Sequence, residues 1–112
     1  MGAFTASLMI KALDGLSERA VVTANNIANA GSPNFRPSHV SFETALASAA
    51  TRGTAAVRGV KPQIQRDSMA TSEQRVDLEL ATASATATRY AALIEILGRQ
   101  LQIDALAISR NS

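Results

Sequence analysis

Apolar residues recur at helical spacing near both ends of the chain and lose that period in between. From Ala3 to Ala30, the residues Met9, Leu13, Leu16, Ala20, Thr23 and Ile27 follow one another by alternating steps of four and three, with Phe4, Leu8 and Ala12 in a row beside them. That alternation suits a helix wound on a partner helix. The helix is expected to stop near Gly31, where glycine accepts a left-handed C-cap and Pro33 cannot continue the hydrogen-bond ladder.

A second helix is expected to begin between Thr71 and Asp77, where Ser72, Asp77 and Glu79 suit the positive end of a helix dipole, and to run to about Ser109. Its stripe is Leu80, Ala83, Ala87, Tyr90, Ile94, Leu97 and Leu101, flanked by Leu93, Ile96 and Ile103, which is wide enough for two neighbours. At about 1.5 Å per residue the two helices would be roughly 40 and 50 Å long, matched for an antiparallel hairpin. Between them, Gly31 to Pro37 reads as a tight turn, with Pro33 presetting one dihedral and Asn34 tolerating positive φ. From Ser38 to Ser72 the residues are small or polar and Gly53, Gly59 and Pro62 break any period, so this stretch is expected to be extended or mobile. Within it a brief helical or extended stretch, Val40 to Ala50, carries Phe42 and Leu46 on one face.

The expected fold is therefore all-α: two long terminal helices in an antiparallel, coiled-coil-like hairpin, with an irregular, mobile or extended middle segment. Residues 1–31 form the N-terminal helix, 32–72 the turn and middle, and 73–112 the C-terminal helix of a single module completed by neighbouring subunits. Composition strengthens the last point. Of 112 residues 22 are alanine, and tryptophan and cysteine are absent. So thin a core should leave a lone chain of this size near zero net stability. The subunit-interface candidates are Met9, Leu13, Leu16, Ile27, Leu80, Tyr90, Ile94, Leu97 and Leu101.

Charge narrows the function classes. The net charge is +2 from eleven basic and nine acidic residues, too balanced for nucleic-acid binding on bulk charge. The basic middle, Arg36, Arg52, Arg58, Lys61 and Arg66, lacks interleaved aromatics as stacking platforms. No apolar run is long enough to cross a bilayer, Lys11 and Asp14 interrupt the N-terminal candidate, and no cleavable signal peptide is expected. His39 is the only histidine, so soft-ligand zinc sites cannot be assembled, and it reads as a solvated loop residue. Asp77 and Glu79, two apart on a helix, point to different sides and make a poor acid-base pair. Neither an enzyme nor a cofactor is expected.

The asparagines stand out. Asn25, Asn26 and Asn29 crowd the end of an apolar-seamed helix although asparagine is a poor helix former. Two readings stay open: they satisfy orphan backbone groups at the helix terminus, or Asn26 and Asn29 bond a neighbouring subunit's backbone and fix axial register.

The run Asn25-Asn26-Ile27-Ala28-Asn29-Ala30-Gly31-Ser32-Pro33-Asn34-Phe35 resembles the N-terminal signature of the bacterial flagellar basal-body rod and hook family. The stretch Val76-Asp77-Leu78-Glu79, then Arg89-Tyr90 with Ala92, Leu97 and Leu101, is similar to the C-terminal end of short rod members of that family. On this resemblance Asn26, Asn29, Gly31, Pro33, Asn34 and Phe35 form the family's turn motif. It implies a structural subunit, exported through the flagellar type III apparatus without a cleaved leader into the periplasm. Its implied partners are copies of itself, other rod proteins and components on the MS-ring and export-gate side of the basal body, and its role is to help carry motor torque to the hook. A small helical protein-protein adaptor is the alternative.

Overall fold

In the computed structural model, residues 1–68 and 75–111 are described, and the chain is mostly helical with a small two-stranded sheet. The elements run α1 (Ala3–Ala28), β1 (Ser38–Ser41), α2 (Glu43–Ala50), α3 (Thr54–Arg58), β2 (Gln63–Arg66) and α4 (Val76–Arg110). At 26 and 35 residues, α1 and α4 are about 39 and 52 Å long. They run antiparallel. Near one end the Met1 ammonium lies 2.9 Å from Asp104 Oδ2, and near the other Asn26 donates to Glu79.

The middle departs from expectation. It is a folded unit of two strands and two short helices, and the sheet is why the all-α description needs correcting. β1 and β2 pair antiparallel with Val40 opposite Ile64 and His39 opposite Gln65. Period-two alternation turns Val40 inward and leaves His39 and Ser41 outside. Phe42 and Leu46, one helical turn apart, then join Ala49, Val57, Val40 and Leu16 in the core. β1, α2 and α3 each contribute one or two apolar residues, too few to show a period, and together they close on the middle of α1, whereas every residue of β2 is exposed.

What lets them close is Gly15. A Cβ built there would stand 2.4 Å from two atoms of the Phe42 ring, so the ring occupies the notch that the missing side chain leaves. Glycine inside a helix costs about 1 kcal/mol relative to alanine, and here that cost is offset by aromatic packing on the bare backbone.

α1 ends earlier than expected. Its C-cap is Asn29, at φ −103, and Gly31 is not in the left-handed region. Asn29 supplies the cap: its amide donates to Asn25 O at 2.9 Å, and its Oδ1 accepts from Ser32 Oγ at 3.3 Å. The turn itself is as expected. Asn34 has φ 60, Pro33 precedes it, and the Phe35 amide donates to Ser32 O at 3.3 Å, the arrangement of a type II turn. Gly53, at φ 105 and ψ −176, stands at the N-cap of α3 in a backbone conformation that favours glycine.

α4 begins at Val76 with Asp77 and Glu79 in its first turn. The proposed contributions of Thr71 and Ser72 lie outside the described residues.

Candidate interaction surface

The family-like motif builds a joint between α1, β1 and α4. Asn26, only 1% exposed, accepts from the Ser38 amide at 3.1 Å and donates to the Ser38 carbonyl at 2.7 Å. An asparagine amide matches a peptide group in donor and acceptor placement, so Asn26 serves β1 as one residue of a further strand would. Its Nδ2 also donates to Glu79 Oε2 at 3.1 Å. Two residues along, Arg19 Nη2 donates to Val40 O at 2.8 Å. The edge of β1 that faces away from β2 is thus closed by side chains of α1. Of the two readings of the asparagines, Asn29 follows the terminus-capping one, and Asn26 bonds backbone within its own chain.

Charge reinforces the joint. The Arg19 guanidinium grips both Glu43 oxygens, at 2.6 and 2.7 Å, and stacks 4.9 Å from the Phe42 ring centroid. Hydrogen bonding from Arg19 brings the Glu43 carboxyl down to about 2, against an ordinary value of 4.5. Arg89 of α4 stands 3.9 Å from the same carboxylate. At the far end, hydrogen bonding from the Met1 ammonium lowers the Asp104 carboxyl. His39 lies in a strand and not in a loop. Its Nδ1 is 3.3 Å from Asp67 and its Nε2 3.4 Å from Glu79. Among the described residues, no group of three or more His, Asp or Glu is placed to hold a metal ion, and no helix is long and apolar enough to cross a membrane.

The nine interface candidates divide. Leu16 belongs to the core and Met9 is buried in the chain, so neither is available to a neighbour; α1 spends that side on the middle unit and α4. Leu13, Ile27 and Leu97 are half-buried. Leu80, Tyr90, Ile94 and Leu101 are exposed. The reason is a displacement of the seam. The least exposed positions of α4 are Val76, Glu79, Ala83, Thr86, Leu93, Leu97, Gln100 and Asp104; Ala83 and Leu97 belong to the apolar line as well, while Glu79, Thr86, Leu93 and Gln100 each stand one residue before a member of it. Polar partners hold this inner line at both ends: Glu79 by Asn26 of α1, and Asp104 by the Met1 ammonium just before α1.

The displaced stripe gives α4 an open apolar flank on the side away from α2, with Leu101 57% and Ile108 71% exposed. Beside it, between α1 and α4, runs a groove of about 380 Å³ lined by Ala20, Ala24, Ile27, Ala83, Ala87 and Tyr90 among others. Alanine on both helices holds the walls of this groove low. Arg19, Phe42 and Gly15 were not singled out as functional in the sequence. A lone glycine inside an otherwise apolar-seamed helix was the available signal for one of them.

Compared with models of known protein families and with curated proteins, the chain matches none.

Proposed function

We propose that this chain is a structural subunit of the bacterial flagellar basal-body rod, most like its proximal rod protein, and that its terminal helices form a coiled-coil-like hairpin which is completed by neighbouring subunits in the drive shaft. The observation that carries this reading is the open apolar flank of α4, on a chain whose α1-to-β1 turn bears the rod-like motif from Asn25 to Phe35. Exposed Leu80, Ile94 and Leu101 at heptad spacing are what a helix keeps for packing against helices outside the molecule. Torque transmission calls for many interdigitated side chains at close-packed density, and a long helix with two apolar margins supplies them. Export without a cleaved leader and assembly in the periplasm belong to the same reading.

The test is genetic and structural. Deleting the gene in its flagellated host should abolish rods in purified basal bodies and motility on soft agar, and a Leu101→Asp copy should restore neither while being made at normal levels. Swimming cells after deletion would refute the assignment.

One observation favours a second reading, a small helical adaptor: the chain assembles a core of its own from Leu16, Val40, Phe42, Leu46, Ala49 and Val57. An adaptor would recover a single partner in defined stoichiometry from a lysate and leave rods intact when deleted.

A further inference from the structure

We propose that the free chain pairs with a second copy of itself, the two α4 helices lying antiparallel along the open flank. This inference does not depend on the rod reading. Along the flank, Leu80, Ile94, Leu101 and Ile108 fall at multiples of seven residues, and all are exposed. Interleaved with them, also every seven, stand Ser84, Ala91, Gly98 and Ala105. In an antiparallel pair centred on residue 96, three of the four bulky positions meet a small one within α4: Ile94 meets the copy's Gly98, Leu101 its Ala91, Ile108 its Ser84. A parallel pair would set bulk on bulk and leave a void at Gly98.

The groove agrees with this register. Its α4 wall spans residues 83 to 91, which lie opposite residues 101 to 109 of the copy. The most exposed end of one α4 therefore enters the groove of the other, where Ala20, Ala24, Ala87 and Ala91 leave room for a leucine and an isoleucine.

Gly98 is the smallest member of the series from Ser84 to Ala105. Glycine is the poorest helix former after proline, and at Gly15 its use is explained by the Phe42 ring. At Gly98 nothing lies within 4 Å of the place a Cβ would take, so no group of this chain uses the gap. A side chain from a second molecule does in the antiparallel pair.

The open flank is part of the 7474 Å² that this elongated chain exposes, and a standard interface would draw ~800 Å² of it from each partner. If the chain is also a rod subunit, the pair covers in solution a face that incorporation later uses, and it must open for that step.

Sedimentation velocity from about 1 to 100 µM should show a monomer passing to a dimer. Gly98→Leu, whose side chain meets open space in the lone chain, should leave the circular dichroism unchanged while weakening the dimer at least tenfold. Because the chain has no cysteine, disulfide trapping reports register directly. A mixture of Ser84→Cys and Ile108→Cys chains should cross-link on mild oxidation, and each variant alone should not. A monomer at about 100 µM, wild-type dimerisation of Gly98→Leu, or self-cross-linking of either variant would overturn the proposal. None of these results bears on whether rods need the gene.

Discussion

Asn26 shows how one side chain can join three elements. It is buried, it answers both polar groups of Ser38, and it reaches Glu79. Replacing it by alanine leaves those groups without a partner in a place where water has little access, so Asn26→Ala should cost about 1–3 kcal/mol in urea unfolding. Asn29→Ala, at an exposed cap, should cost less than about 1 kcal/mol. The two interior helix glycines should respond with opposite sign. Gly15→Ala forces a methyl against the Phe42 ring and should destabilise by about 1–3 kcal/mol. Gly98→Ala, measured at concentrations where the chain is monomeric, should raise stability by about 0.5–1 kcal/mol; thermal melts of both variants decide the point. At this scale local chemistry was legible and distant chemistry was not. Pro33-Asn34 spells its turn within four residues, whereas the partners of Asn26 lie 12 and 53 residues away.

Among the elements, α1 and α4 were legible because each repeats its apolar pattern over many turns, and the middle was not because none of its four elements exceeds eight residues. The pairing of β1 with β2 spans two intervening helices, a contact that periodicity does not encode. The inner line of α4 shares Ala83 and Leu97 with the apolar pattern but is otherwise turned one residue from it, toward the carboxylates of Glu79 and Asp104, and a hydrophobic pattern cannot announce a polar seam. α2 is held to α1 by Leu46 and Ala49 in the core and, at its first turn, by Glu43. Its carboxyl titrates lower in the folded chain than in the unfolded one, so its contribution is complete above about 4.5 and fades as pH falls toward 2. Unfolding midpoints taken between neutrality and pH 2.5 should therefore fall on acidification, and Glu43→Gln should flatten part of that slope. A slope identical to that of the unaltered chain would show that the Arg19 grip adds nothing to stability.

For the molecule as a whole, the principal extents of 63 × 26 × 14 Å describe a flat rod. α4 continues for six residues past Asp104, the residue that pairs with Met1, whereas α1 begins at Ala3. In a dilute sample, amide hydrogen exchange should be fastest in residues 105–110 of α4 and slowest where Thr86 and Leu93 lie against the rest of the fold. Uniform protection along α4 would contradict this gradient. The Phe42 ring seated at Gly15 has a mechanical consequence at this same scale. Were α1 to slip lengthwise by one turn under load, the ring would ride up onto the stem of Lys11 or Arg19, where no recess receives it. The notch thus acts as a detent, fixing the axial setting of the long helix against its small companion unit and allowing a push along the rod to travel through it undiminished.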